Sequence, residues 1–352
     1  MKKKLLSLII SILCITAIMG AAGCGSSYAE ASAQVKNSEE LYDAIRDCMA
    51  HNETSCSFVY KGIDTKNIMD IDNIMNNVCG LKSLKYEISQ SLFSKKINLS
   101  MEYWDSDAII YAYNNSDSSF LTERQKIMYD KYISILNTCV NPTNSDYENE
   151  MAIHDYLIDN ITYDSNVTTH FNAYEALTEG RAVCAGYAEC FRTLMELQGI
   201  KCITISGTAD GENHMWNAVR LDNEWYQVDV TWNDLDEASA LNKVRLYTYF
   251  NASEQDMAID HTITSALPDN YVAGSRYIYA NYECVPVIYD QSTLNSLIVK
   301  ALRSHDNRIE FITKNELDIK TAINSAAVPC SYILNSIDRT DCQLHTITCT
   351  YY

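Results

Sequence analysis

The pattern of apolar and polar positions from Ser38 onward is that of a helix followed by a strand. Apolar residues recur at i, i+3, i+4, i+7 and i+8, which predicts an amphipathic helix with one buried stripe. These residues are Leu41, Ala44, Ile45, Cys48 and Met49. The strand-like run CSFVY, residues 56–60, comes next.

The same pattern returns at a constant offset of 253 residues. The second set of apolar positions is Leu294, Leu297, Ile298, Ala301 and Leu302. The run IEFIT follows, with Phe311 in the position of Phe58. Each copy continues with a second helical stretch and ends in alternating strands. We therefore predict two related α+β modules that flank a central domain; a chance match between two amphipathic helices is the alternative.

The central region contains helical patterns followed by strands. The breaker NPTNS, residues 141–145, separates two helical stretches, and residues 181–198 form a third because they lack proline and repeat apolar residues at helical spacing. Two strands follow, HMWNAVRL and EWYQVDVTW, joined at Asp222 and Asn223. The predicted divisions are a signal (1–24), a linker (25–37), an N-terminal module (38–145), a central domain (146–285) and a C-terminal module (286–352).

The chain begins MKKKLLSLIISILCITAIMGAAGC, with three lysines, an apolar run and then small residues, which is the layout of an export signal. Its end, AAGC, resembles the bacterial lipobox, although Ala21 stands where leucine is usual. The resemblance implies an exported protein held outside a bacterial membrane by a lipid on Cys24. A soluble secreted form cut after Ala31 and an uncleaved membrane anchor are the alternatives.

The composition excludes several classes of partner and cofactor. A formal net charge of −19 disfavours nucleic acid and anionic membrane surfaces, so we expect membrane contact only through the N-terminal lipid. None of the 13 cysteines belongs to a CxxC pair. The histidines His154, His170, His261 and His305 lack ligand spacing. We therefore expect no metal site and no bound cofactor.

Cys184 lies at the head of the helix predicted over residues 181–198. Free N–H groups in a first turn, together with the helix dipole, favour a thiolate there. A symmetric turn in the hairpin pairs residues whose numbers sum to 445, so His214 and Asp229 become diagonal neighbours on one face. An imidazole and a carboxylate are the groups that activate a thiol nucleophile. Taken singly, the three residues also fit a core cysteine, a surface histidine and a cross-strand carboxylate.

The segment GRAVCAGYAECFRTLMELQGI and the later HMWNAVRLDNEWYQVDVTWND together resemble the transglutaminase-like superfamily of papain-fold thiol enzymes. The resemblance covers about residues 147–261 and implies an α+β fold, in which a helix-capping cysteine packs on an antiparallel sheet. Small α+β modules would flank this core. The resemblance makes Cys184 the nucleophile, His214 the general acid/base and Asp229 the orienting carboxylate.

The implied chemistry is acyl transfer to or from a protein or peptide, with cell-wall peptide as one candidate. Crosslinking, deamidation and proteolysis remain open as outcomes. Trp216, Trp232 and Tyr187 are predicted walls of a substrate groove. Candidates for a second oxyanion donor are Tyr163, Tyr174 and Tyr187. A non-catalytic peptide- or surface-binding module on the same fold is the alternative function.

Overall fold

The computed structural model describes most of the chain beyond residue 33. The described ranges are 34–51, 53–62, 68–71, 73–74, 78, 81–90, 95–165, 172–235, 244–268 and 270–352. The predicted signal and Cys24 lie outside them. None of the helices in these ranges combines the length and the apolar character that crossing a bilayer requires.

The N-terminal part consists of a helix packed on a four-stranded sheet. Its elements are β1 (Gln34–Val35), α1 (Ser38–Ala50), β2 (Ser55–Tyr60), β3 (Leu81–Gln90) and β4 (Lys95–Tyr103). The strand order is β1-β2-β4-β3, with β1 parallel to β2 and the other pairs antiparallel. The stripe of α1 is buried as its spacing predicts: Leu41 and Ile45 are fully covered.

The central part contains helices, a second four-stranded sheet and short connecting strands. Its helices are α2 (Asp105–Asn114), α3 (Glu123–Cys139), α4 (Asp146–Asn160), α5 (Ala173–Glu179), α6 (Cys184–Leu197), α7 (Val230–Asn233), α8 (Glu254–Met257) and α9 (Tyr279–Tyr282). Its strands are β5 (Thr162–Tyr163), β6 (Arg181–Ala182), β7 (Cys202–Ala209), β8 (Glu212–Leu221), β9 (Glu224–Val228), β10 (Asp234–Leu235), β11 (Val244–Arg245) and β12 (His261–Ile263).

The central sheet has the antiparallel order β12-β7-β8-β9 and is covered on both faces. Alternate residues of β8 belong to different apolar clusters, as strand geometry requires. Val219 and Leu221 join the large core that includes α6, whereas Trp216 and Ala218 join a smaller cluster. The sheet therefore holds α6 against one face and leaves the other face for the segment from β9 to β12.

The C-terminal part repeats the first helix and the strand order of the N-terminal part. Its elements are β13 (Val287–Ile288), α10 (Gln291–Arg303), β14 (Arg308–Thr313), α11 (Ile319–Ser325), β15 (Cys330–Arg339) and β16 (Cys342–Tyr351). The strand order is again one short parallel strand followed by antiparallel pairs, β13-β14-β16-β15. The first helix, its cap and the strand after it lie 253 residues beyond their counterparts; Asn37 caps α1 and Asp290 caps α10.

The predicted α+β class is confirmed, but the packing of α2 and α3 corrects the division drawn from sequence. That division placed both helices in the N-terminal module, 38–145. Their buried residues, Ile109 and Tyr132 among them, instead belong to the core of the central part. An apolar stripe shows that one face of a helix is buried, but it does not show which part of the protein covers that face. Sequence periodicity therefore could not assign α2 and α3 to the central part. The boundary near residue 285 stays a prediction.

Candidate active site

Cys184 is the first residue of α6, three residues later than the predicted start of the helix. Arg181 and Ala182 form β6, and the extended Val183 is the N-cap residue, which makes no side-chain capping bond. The first N–H groups of α6 thus have no side chain from the cap competing for them. The half-buried Cys184 thiol lies at this positive end of the helix.

Gly186 explains the small residues after the cysteine. A Cβ atom on Gly186 would lie 2.6 Å from Cβ of Ala182 and 3.1 Å from the backbone oxygen of Asn172. Any larger residue would push the start of α6 away from the cap of α5. The start of α6 is packed so tightly that it requires the small residues of CAGYA. The same packing positions the thiol of Cys184.

His214 is the second member of the group, on β8 opposite Gly207 of β7. Its Nε2 lies 2.5 Å from Oδ2 of Asp229, and Cys184 lies close enough to its ring to raise its pKa. Burial lowers the pKa of His214, but the charges and hydrogen bonds of Asp229 and Cys184 outweigh it and raise that pKa to about 10. His214 therefore keeps a proton, and a positive charge, throughout the neutral range.

Asp229 reaches His214 by a route that differs from the predicted one. The register is as predicted, since Asn217 pairs with Val228 and these numbers sum to 445, but β9 ends at Val228. Asp229 is instead the N-cap of α7: its Oδ1 accepts the N–H of Trp232 at 3.0 Å. Its own N–H donates to the oxygen of Tyr249 at 2.8 Å. The prediction of a strand through Trp232 was wrong because an Asp cap competes locally with the ladder.

The carboxylate of Asp229 is fully buried and remains ionised. Burial raises its pKa, but His214 and His261 together hold that pKa well below its usual range. The same oxygen, Oδ2, faces His214 Nε2 at 2.5 Å and His261 Nε2 at 3.1 Å. A buried carboxylate needs such partners, because an unpaired charge at this depth would be strongly destabilising.

His261 is a residue that sequence reasoning missed. Its spacing from the other histidines gave no sign of a shared site, although it follows Asp260 at the end of the region, about residues 147–261, over which the sequence resembles the superfamily. The ligand atoms of His214, Asp229 and His261 lie within 4.8 Å of one another, a spacing that a metal ion could use. All three atoms are already engaged in the hydrogen bonds described above, so we assign no metal to them.

The structure does not place the predicted groove residues together. Tyr187 is fully buried, and its hydroxyl donates to Oδ2 of Asp234 at 2.7 Å. Trp216 is 1% exposed, and its indole N–H donates to Gln227 at 2.8 Å. Both predictions were wrong because these large rings fill the interior on either side of the sheet. Trp232 is partly buried, with its ring 5.8 Å from that of His214, so a position beside substrate stays a prediction for it alone.

Among the tyrosines considered as oxyanion donors, Tyr163 is the one on which the charges of Cys184 and Asp229 are seen to act. It is 43% exposed on β5, next to the strand that leads into Cys184. Its pKa is raised by burial and by the negative charges of Cys184 and Asp229. Tyr174 instead lies beneath the Arg124 guanidinium, 3.9 Å from ring centre to cation.

Cys190, six residues after Cys184 on α6, has a structural role. It is fully buried, and burial raises the pKa of its thiol well above the ordinary value. Its Sγ lies 3.8 Å from the oxygen of Ala173, so it packs α6 against α5. The two cysteines of this helix are thereby distinguished by their surroundings.

Residues 133–230 match the model of the transglutaminase-like superfamily. The kyphoscoliosis peptidases of Mus musculus and Homo sapiens are each 27% identical over 115 residues, which is 28% of this chain and 17% of theirs. This chain therefore aligns with only a small part of those relatives. The crystal structure of a TGase is 13% identical, covers 72% of each chain and has a TM-score of 0.28. A TM-score this low supports no assignment, so the similarity to the superfamily rests on the family model.

The matched segment contains the start of α6, the hairpin β8–β9 and the cap of α7. It also contains the three side chains whose geometry is described above. The candidate site therefore lies in the part of this chain, residues 133–230, that is similar to the transglutaminase-like superfamily.

Proposed function

We propose that this protein is a thiol acyltransferase or peptidase that uses Cys184, His214 and Asp229 on amide or peptide bonds. One observation carries the proposal. Cys184 begins a helix whose cap side chain makes no hydrogen bond to the first N–H groups, and it lies beside a histidine that a buried carboxylate holds. This arrangement supplies a nucleophile, an acid/base beside it and a carboxylate that orients the acid/base.

The first half-reaction follows from the protonation state of His214. A positive charge beside Sγ favours the thiolate, which attacks the carbonyl carbon of the substrate. As the tetrahedral species collapses, the carbon–nitrogen bond breaks, and His214 gives its proton to the departing amine or ammonia. The product is a thioester on Cys184 and a neutral His214. Because Nε2 of His214 faces Asp229, Nδ1 is the nitrogen left to exchange protons with sulfur and substrate.

The oxyanion formed in that step needs donors already in place. The open N–H groups at the start of α6 supply the first. The hydroxyl of Tyr163 is the proposed second donor, since this side chain is exposed and lies within range of the charge on Cys184.

The second half-reaction releases the acyl group. Neutral His214 takes a proton from an incoming water or amine, which attacks the thioester and restores the thiolate and the imidazolium. Water gives hydrolysis and an amine gives crosslinking. The proposed substrates are proteins or peptides. Cell-wall peptide is the candidate that follows from the proposed export and lipid anchoring at Cys24.

The test is the rate at which iodoacetamide alkylates Cys184 across pH, read by mass spectrometry of the peptide that carries it. His214→Ala is the test variant, and His305→Ala, at an exposed histidine of the C-terminal part, is the matched control. We expect fast alkylation below pH 7 in the wild type and in His305→Ala, and its loss in His214→Ala. A slow rate that rises only near an ordinary thiol pKa of ~8.5, equal in all three proteins, would contradict the proposal and favour a binding module.

A further inference from the structure

Both ring nitrogens of His261 face carboxylates. Nε2 lies 3.1 Å from Oδ2 of Asp229, and Nδ1 lies 2.5 Å from Oδ1 of Asp260. The His261 side chain is 1% exposed, so water does not compete for either nitrogen. The pKa values of Asp229 and Asp260 are both held low: burial would raise them, but the histidines and Tyr249 outweigh it. Two ionised acceptors require a proton on each nitrogen, which makes His261 a buried imidazolium.

Asp260 is in turn held by a second layer of side chains. Its Oδ2 accepts the hydroxyl hydrogen of Tyr249 at 2.6 Å. The guanidinium of Arg339, at the end of β15, lies 5.8 Å from the centre of the Tyr249 ring and adds a positive charge that acts on Asp260. The same Arg339 donates to the backbone oxygen of Thr248. The C-terminal part thus contacts the segment that orients His261.

One oxygen of Asp229, Oδ2, consequently accepts hydrogen bonds from two positively charged rings, those of His214 and His261. The rings of His214 and His261 have their centres 5.7 Å apart, on either side of Oδ2. The titratable and charged groups that face His261 are these two carboxylates, His214 and Tyr249, with Arg339 behind Asp260. A positive charge on His261 weakens the hold of Asp229 on the proton of His214, because two like charges share one counter-ion.

We propose that His261 is a positioning residue of this site, a second imidazolium that fixes Oδ2 of Asp229 and moderates the charge that Asp229 presents to His214. This inference rests on the proposed function, since it concerns the same Cys184–His214 pair. His261 lies outside the segment that matches the superfamily model, residues 133–230. The residue therefore extends the site beyond the family core, through β12 and toward the C-terminal part.

The experiment measures the titration of His214 in the full-length chain by NMR of its Cε1–H resonance. The test variants are His261→Gln, which keeps a donor toward Asp229 without the charge, and Asp260→Asn, which keeps the His261 ring but removes the anion that holds its second proton. The repulsion between two unit charges roughly 6 Å apart, at an effective dielectric of about 20, corresponds to about two pH units. We expect His261→Gln to raise the midpoint of His214 by up to that amount, and Asp260→Asn to raise it by less, because this variant also removes the negative charge of the carboxylate.

Asp260→Asn separates charge from packing, because the ring of His261 is retained. A midpoint raised only in His261→Gln would mean that the ring acts by filling space, and would overturn the inference. So would a neutral His261 in the wild type at pH 7, read from its ¹⁵N shifts, a measurement that requires no variant to fold. The alkylation assay is run on the same samples: an activated Cys184 with unmoved midpoints would overturn this inference alone, whereas an unactivated wild-type Cys184 would overturn the proposed function.

Discussion

At the scale of single residues, the site depends on how a buried charge is compensated. Asp229 is fully covered, yet it is ionised because two imidazoles share its Oδ2 and a backbone N–H binds its Oδ1. The charge it presents keeps His214 protonated against the effect of burial, which alone would remove that proton. The reactivity of Cys184 is therefore expected to depend on a carboxylate that does not contact it in the bonds described.

Asp229→Asn removes that charge while nearly preserving the shape of the side chain. Burial then lowers the pKa of His214, and the positive charge beside Cys184 is lost. We expect alkylation of Cys184 at pH 7 to slow roughly 30-fold. This is the ratio, at pH 7, between the ionised fraction of a permanent thiolate and that of a thiol with an ordinary pKa of ~8.5. Asp306→Asn, at an exposed carboxylate of the C-terminal part, is the control and should alkylate at the wild-type rate. An unchanged rate in Asp229→Asn would remove Asp229 from the proposed mechanism.

The same pair predicts how stability depends on pH. The pKa of His214 rises from 6.5 to about 10 on folding, so its contribution to stability is complete below pH 6.5 and is lost between pH 6.5 and about 10. Asp229 has a lowered pKa, so its contribution is complete above its ordinary value of ~3.9 and is lost as the pH falls below that. The free energy of unfolding, measured in urea at a series of pH values, should decline less steeply above pH 6.5 in His214→Gln than in the wild type. Equal slopes would contradict the raised pKa.

Tyr163→Phe tests the proposed oxyanion donor. Loss of one such donor typically lowers the rate of acyl transfer by ~10²–10³. We expect that loss in the release of p-nitrophenol from an activated ester, with alkylation by iodoacetamide unchanged, because alkylation forms no oxyanion. Tyr174→Phe, whose ring lies beneath Arg124, is the matched control and should retain acyl transfer. A wild-type rate in Tyr163→Phe would assign the second donor elsewhere.

At the scale of elements, the position of the site depends on the contact between α6 and the central sheet. Asn217 of β8 is 1% exposed, and its Nδ2 donates to the oxygens of Ala188 on α6 and Ile203 on β7, at 3.0 and 3.2 Å. One side chain thus ties the helix that carries Cys184 to the strand that carries His214. A tie of this kind sets the distance between the two groups more firmly than apolar packing alone.

Asn217→Ala should lower the free energy of unfolding by about 1–3 kcal/mol, because it removes two buried hydrogen bonds. Urea denaturation monitored by tryptophan fluorescence measures this change. Asn335→Ala, at a half-buried position of β15, is the control and should change stability by less than about 0.5 kcal/mol. A loss in Asn217→Ala as small as in the control would show that the helix is held by packing.

At the scale of the whole molecule, two modules of the same architecture flank the domain that carries the site. Each repeats a short parallel strand, a capped helix and an antiparallel sheet, at an offset of 253 residues over their first half. Only the C-terminal copy has a described arginine, Arg339, that reaches the loop before His261. The two copies therefore differ in their contacts with the central part although they share a fold.

The proposed membrane anchor also belongs to this scale. If Cys24 is lipidated, the protein expressed with its leader in a bacterial host should partition into the detergent phase of Triton X-114, and Cys24→Ala should partition into water. A single chain of ~14 carbons binds membranes only marginally, so the diacylated form expected of a lipoprotein should be seen by mass spectrometry. Wild-type protein in the aqueous phase, cut after Ala31, would replace the anchor with a soluble secreted form.

Local physics was enough to determine much of this protein from its sequence. Helical spacing and a missing proline place α6, and its first turn places Cys184. The residues Asp222 and Asn223 adopt the positive φ angles, 48° and 70°, of a two-residue hairpin, so the register of β8 with β9 is confirmed. These features depend on residues close together in the chain, which is why pattern and propensity suffice.

Tertiary structure alone decided the rest, because it joins residues distant in sequence. His261 lies 32 residues beyond Asp229 and meets it only because β12 pairs with β7 at the edge of the central sheet. Tyr187 and Trp216 carry no sequence signal that separates a groove wall from a core side chain, and packing buried both. Which polar side chains meet at the site is thus set by the distant partners that the fold brings within hydrogen-bonding distance.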